Sequence, residues 1–215
     1  MNPPILRAVE KVTAFVTRGR GATAELLVFA HPTAGIQLPA GTVEVMERPD
    51  DAVLREVREE TGLQNVQIEA HLGDLRHDLP PDLRWVLRAT KIFATPTSDA
   101  DGVGFTLFRG SLVRHVADHD SFAHVIHEEH DLNQDPPAIL THFEGYVRRS
   151  LLTRRGIRYF YHLATTGDTA AAWSIQADGQ LFRCFWTPLQ PKPALVPAQQ
   201  AWLDAAYDAL QRNLV

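Results

Sequence analysis

The chain has 215 residues, 45% hydrophobic and 22% charged, with a formal net charge of -5 and no long run of Lys or Arg. That balance suits a soluble globular protein able to bury roughly 70% of its unfolded surface, and it argues against a genomic nucleic-acid binder, which would carry a basic face. No apolar run approaches ~18 residues, so no segment is expected to span a membrane. The start, Met1-Asn2-Pro3-Pro4-Ile5-Leu6-Arg7, lacks the pattern of a signal peptide, and a cytoplasmic location is expected. The one cysteine, Cys184, sits in the apolar run 181–186 and is expected to be a buried, inert thiol.

In chain order, 11–17 alternates as a strand, Gly19-Arg20-Gly21 is a turn, and 26–30 is a second strand of the same sheet. A short extended segment at 36–42 follows. From Pro49 to Thr61 the pattern is helical. Pro49 is tolerated in a first turn, Asp50 and Asp51 suit the positive end of the helix dipole, and Gly62 terminates. Strand character resumes at 66–70. The run Asp78-Leu79-Pro80-Pro81-Asp82 is a break, after which short β-like segments at 85–95, 105–109, 111–116 and 122–127 lead to 144–152. Their spacing predicts a small β-rich module, inserted at 83–155, that resembles bacterial SH3-like modules. Two more strands are expected at 158–164 and 181–188, with Asp178-Gly179 as a turn between them. Residues 197–214 form an amphipathic helix bearing Trp202 as a core residue.

The chemistry concentrates at 41–63. Glu56, Glu59 and Glu60 stand at i, i+3 and i+4, which gathers three carboxylates on one helical face. Such a cluster is repulsive by itself, and a hard divalent cation would relieve it. A glycine at 41 permits close approach of backbone to a metal or a phosphate. A merely solvated acidic helix face would explain the glutamates one by one, but not Gly41, Glu47, Arg55 and Gly62 at their spacings.

The pattern of Gly41, five residues, Glu47, seven residues, Arg55-Glu56-Val57, one residue, Glu59-Glu60, one residue and Gly62-Leu63 resembles the Nudix box and meets each of its defined positions. The preceding Leu38-Pro39-Ala40-Gly41 looks like the family's Leu-Pro-Gly-Gly entry, with Ala40 as the departure. The resemblance implies an α/β fold, a Nudix α/β/α sandwich with a mixed sheet, formed by 1–82 and 156–215 around the insert. It implies a hydrolase that cleaves a diphosphate linkage in a nucleoside diphosphate joined to another moiety: a nucleotide sugar, a dinucleotide or a nucleoside triphosphate. Glu56, Glu59, Glu60 and the Gly41 carbonyl would hold Mg²⁺, with Mn²⁺ as a substitute. Glu47 would orient Arg55, and Arg55 would buttress the glutamates. Glu59 is the candidate general base, with Asp168 and Asp178 as alternatives on a later loop. A small-molecule nucleotide is the implied partner, and relatives commonly form homodimers.

Two other functional readings stand beside this one. One is a catalytically silent Nudix-fold nucleotide sensor; the other is a scaffold whose SH3-like module binds a peptide. Pro80 and Pro81 fall near a proline associated with ADP-ribose-type substrates, but out of register. His127-Glu128-Glu129-His130 lacks the spacing of a zinc-protease motif and reads as exposed loop. Arg148, Arg149, Arg154, Arg155 and Arg158 form the densest basic stretch and read as a solvated face.

Overall fold

The computed structural model describes residues 8–97, 99, 101–177 and 179–215; Met1–Arg7 and Asp178, singled out above, lie outside the described residues. In chain order the strands begin with β1 (Val9–Arg18), β2 (Glu25–His31), β3 (Gly35–Gln37) and β4 (Ala40–Thr42). Helix α1 (Pro49–Thr61) leads to β5 (Val66–Asp78), β6 (Leu83–Val86), β7 (Thr90–Phe93), β8 (Gly102–Leu107), β9 (Leu112–His119), β10 (Phe122–Asp131) and β11 (Ala138–Arg148). The chain ends with β12 (Leu152–Thr153), β13 (Arg155–Thr165), β14 (Ala172–Ala177), β15 (Gln180–Pro188) and α2 (Pro197–Asn213). It divides into two compact units, one of Val12–Leu75 with Arg158–Val215 and one of Arg76–Ile157 with the stretch ending at Lys11.

The first unit is an α/β/α sandwich, built on the sheet order β14-β15-β2-β1-β13-β5 with β3 on β2 and β4 on β1. Its inner strands β1 and β2 are apolar on both faces, because each face carries a helix. Along β1, Val12, Ala14 and Val16 join the core under α1 (Ala52, Val53, Val57), whereas Phe15 joins the core under α2 (Leu203, Ala206, Leu210). Strand β2 splits the same way, with Leu27 and Phe29 facing one core and Leu26 and Val28 the other. Burying Val53 and Val57 completely contributes roughly 1.5–3 kcal/mol each. Cys184 lies in the α1-side core as a free, buried thiol, and burial pushes it up to about 12, so it is inert as expected.

Strand β14 was not anticipated. It pairs with β15 from Ala172↔Phe185 to Ala177↔Gln180 and brings Gln176 and Ala177 toward α1. Its weak sequence signal follows from its position at the sheet edge, where only alternate residues are buried or half-buried. Arg158 departs from the solvated face expected of it. It is 6% exposed, its Nη1 donates to the Val12 carbonyl (3.1 Å) and to Thr13 Oγ1 (2.9 Å), and its guanidinium stacks 3.6 Å from the Trp202 ring centroid. Its strand position explains this, since β13 is an inner strand flanked by β1 and β5.

The second unit is mostly β, a seven-stranded sheet in the order β12-β6-β9-β10-β11-β7-β8. Val86, Ile92, Leu107, Val113, Val125 and Val147 form its core. The His127–His130 segment is not loop but part of β10, paired with β11 from His127↔Phe143 to His130↔Ile139 with a bulge between Glu129 and His130. The turn starts later, where Asp131 Oδ1 accepts the Asn133 N–H at 3.0 Å. His127 is only 8% exposed, shares a hydrogen bond with the Leu112 carbonyl and stacks on Phe105. Strand alternation sends His127 and Glu129 to one face and Glu128 and His130 to the other, so the four do not make one ligand set.

Gly145 shows how tightly β11 approaches β7. At φ 158° an added Cβ would lie 2.5 Å from the Phe93 carbonyl oxygen and 2.7 Å from Ile92 Cγ2. Gly145→Ala is expected to lower stability by about 1–3 kcal/mol through backbone displacement, read as an earlier thermal unfolding midpoint.

Candidate metal and diphosphate site

The site is built from the β4 turn and α1. Helix α1 has Pro49 in its first turn, Asp50 and Asp51 at its positive end, and no side-chain cap on Arg48. Asp50 is held by the Tyr161 hydroxyl at 2.7 Å, which fixes the entry end of the helix. Desolvation and then this carboxylate raise the Tyr161 hydroxyl above its usual range, so it remains a donor. Gly62 ends the helix in the left-handed region at φ 74°, its N–H donating to the Arg58 carbonyl.

Arg55 organises the site. Its Nε and Nη2 donate to the two oxygens of Glu47 at 2.8 and 2.9 Å, a bidentate pair. Nη2 also donates to the Thr42 carbonyl, and Nη1 to Glu56 Oε1 and Glu59 Oε2, each at 2.9 Å. The Arg55 hydrogen bonds hold the Glu47 carboxyl below its usual range, and Glu47 in turn raises Arg55, so both stay charged. Glu47 also accepts the Glu44 N–H at 2.8 Å, which closes the 44–47 turn; Met46 in that turn sits at φ 68°. Glu60 accepts the Ala40 N–H at 2.8 Å, tying the helix to β4. An alanine side chain at position 40 leaves this backbone bond intact.

Gly41 faces Glu56 directly. An added Cβ would lie 1.9 Å from Glu56 Cδ, so the glycine makes room for a carboxylate. Gly41→Ala is expected to push Glu56 aside and lower turnover about tenfold, with little change in unfolding temperature because the side chain displaced is flexible. Steady-state kinetics beside a thermal melt would separate the two.

Glu56, Glu59 and Glu60 line one cleft of about 280 Å³ with Gln176 and Ala177. The Glu56 side chain is 12% exposed and that of Glu59 56%, so the cluster grades from a half-buried carboxylate to a solvent-facing one. Among the described residues no three His, Cys, Asp or Glu groups already converge at ligating distance. The donor chemistry nevertheless fits a hard divalent cation: three carboxylates on one face, with a backbone approach that only glycine leaves open. Gln176 was not singled out from the sequence, because β14 itself was not. Asp168, the other loop carboxylate considered, lies outside this cleft, in a groove past the C-terminal end of α1.

Residues 9–99 match the NUDIX domain model. The match includes all of 41–63 and extends past the break at 78–82. A curated RNA pyrophosphohydrolase of Agrobacterium fabrum (strain C58 / ATCC 33970) is 44% identical over 48 residues, which span 22% of this chain and 28% of that protein. No helix of the described residues is long and apolar enough to cross a membrane. The segment similar to the NUDIX domain, 9–99, thus supplies α1 and much of a sheet that is sandwiched between α1 and α2.

Proposed function

We propose that the chain is a metal-dependent hydrolase that cleaves the diphosphate linkage of a nucleoside diphosphate joined to another moiety. The observation that carries this is the gathering of Glu56, Glu59 and Glu60 along one cleft, with Arg55 bridging two of them and Glu47. The matched relative is named as a pyrophosphohydrolase, which fits the same reaction class. Glu56, Glu59, Glu60 and the Gly41 carbonyl would hold Mg²⁺, or Mn²⁺ in its place. When bound, the ion neutralises the diphosphate and lowers the pKa of water.

The chain's own residues then have separate tasks. Glu59, the more exposed of the Arg55-bound pair, takes a proton from the water that attacks phosphorus. The new P–O bond forms as the bridging P–O bond breaks, and the leaving phosphate carries away the electron pair. Arg55 and Glu47 act as positioning residues, fixing Glu56 and Glu59 before substrate arrives.

We assign 1–82 and 156–215 to the hydrolase domain and 83–155 to a β-rich insert that shapes substrate choice or a homodimer interface. We place the protein in the cytoplasm, in keeping with a fold that contains one free cysteine and no disulfide. The test is phosphate release, through a coupled phosphatase, from a panel of nucleoside diphosphate derivatives with Mg²⁺, with Mn²⁺ and with chelator. Metal-dependent turnover of one class is the expected result. Silence across the panel with metal bound would instead support the nucleotide-sensor reading.

A further inference from the structure

We propose that a second groove, next to the carboxylate cleft, receives the group linked to the diphosphate, and that this group is a neutral, polyhydroxylated one of the sugar class. The inference rests on the diphosphate-cleavage reading above and adds the location and chemistry of the leaving moiety. The groove, about 560 Å³, runs between the turn after α1, the loop before β14 and the start of β14. That size is within the range of small-ligand sites.

Position links the two. Thr61 at the edge of the groove directly follows Glu60 of the cleft. On β14, Ser174 borders the groove and Gln176 the cleft, two strand residues or roughly 7 Å apart. A substrate whose diphosphate lies against Glu56, Glu59 and Glu60 therefore has its next group over the groove.

The groove walls are fixed in place. Trp173 Nε1 donates to the Thr61 carbonyl at 2.6 Å, and the Thr166 N–H donates to the Asn65 carbonyl at 3.0 Å. The loop is held further by Trp186 Nε1, which donates to the Ala170 carbonyl at 3.1 Å, and by Arg18 Nη1, 3.4 Å from both Thr169 oxygens. Walls tied at four points lose little entropy when a ligand binds.

The lining selects the ligand. Gln64 and Asn65 bring amide donors and acceptors, and Asp168 a carboxylate that accepts from hydroxyl groups. Among the described residues, Asp168 is the one ionisable side chain lining the groove. Arg18, which is not among the groove's lining residues, pairs with Glu25 at 2.6 Å. A further phosphate would meet Asp168 without a facing cation, whereas vicinal hydroxyls would find acceptors. Half-buried Trp173 packs near Trp186 at a 6.4 Å centroid separation, which leaves its exposed part to cover sugar C–H groups.

Binding of methylene-bridged, non-hydrolysable analogues by calorimetry with Mg²⁺ tests this without turnover. The probes are a hexose-linked nucleoside diphosphate analogue, the methyl-capped analogue and the nucleoside triphosphate analogue. In the wild type, the hexose-linked analogue is expected to bind about tenfold tighter than the methyl-capped one, and the triphosphate no tighter than the methyl-capped one. Asp168→Asn and Gln64→Ala should each remove most of the hexose preference and leave methyl-capped binding unchanged. Equal binding of hexose-linked and methyl-capped analogues, or a preference unchanged in both variants, overturns the groove assignment. Tighter binding of the triphosphate overturns the sugar class. Cleavage of the hydrolysable methyl-capped compound, measured in parallel, reports on the hydrolase reading separately.

Discussion

Glu59→Gln and Glu60→Gln are each expected to lower metal-dependent turnover by about 10³-fold, a loss on the order of 4 kcal/mol of transition-state stabilisation. The two substitutions preserve shape and remove one charge, but they act through different contacts. Glu60 anchors the helix to β4 through the Ala40 N–H, a bond that a Gln oxygen can still accept. Glu59 loses charge opposite Arg55 Nη1, weakening one of five hydrogen bonds that Arg55 donates. Neither contact is needed to fold the core, because the buried face of α1 is made by Ala52, Val53 and Val57. Without metal, both variants should therefore unfold at the wild-type temperature or slightly above it, since like-charge pairs at i, i+3 and i, i+4 are relieved. A circular-dichroism melt in chelator, paired with kinetics at saturating Mg²⁺, reads both quantities. Near-normal turnover in both variants would remove these carboxylates from the metal set.

The distinction between core and site also explains what could be read before any coordinates. The box residues were legible because each is fixed by local chemistry. Gly62 sits at φ 74°, Gly41 leaves space for Glu56, and Glu47 lies where its two oxygens meet the Arg55 fork. The sandwich was legible because β1 and β2 are apolar on both faces and two helical patterns supply the covers. Gln176 was not legible. It depends on β14, whose alternation at a sheet edge carries little hydrophobic signal, and on pairing with β15, where Gln176 meets Leu181. The Arg158 environment was hidden for a different reason. A run of nearby arginines suggests solvent, but β13 passes through the sheet interior and Trp202, more than forty residues later, supplies the stacking surface. His127 misled in the opposite direction, because a polar tetrad next to an Asp-Asn-Pro loop is the final part of a long paired strand.

Arg55→Lys tests whether the arginine is there for its charge or for its fork. A lysine keeps the positive charge and could satisfy one or two of the acceptors, but it cannot make the bidentate contact with Glu47 while reaching Glu56, Glu59 and the Thr42 carbonyl. At 25% side-chain exposure the site is shielded enough for geometry to matter more than net charge. With the fork gone, Glu56 and Glu59 are no longer held together along the cleft. The expected result is a rise of about 10–100-fold in the Mg²⁺ concentration giving half-maximal activity, with a comparable fall in turnover at low metal that excess Mg²⁺ partly restores. A purely structural role would lower the melting temperature and leave the metal dependence of the surviving activity unchanged. Titrating activity against Mg²⁺ in wild type and Arg55→Lys, with Arg55→Ala as the variant lacking the charge, distinguishes the two. If Arg55→Lys keeps the wild-type metal requirement and Arg55→Ala loses it, charge alone suffices and the fork is not what positions the glutamates.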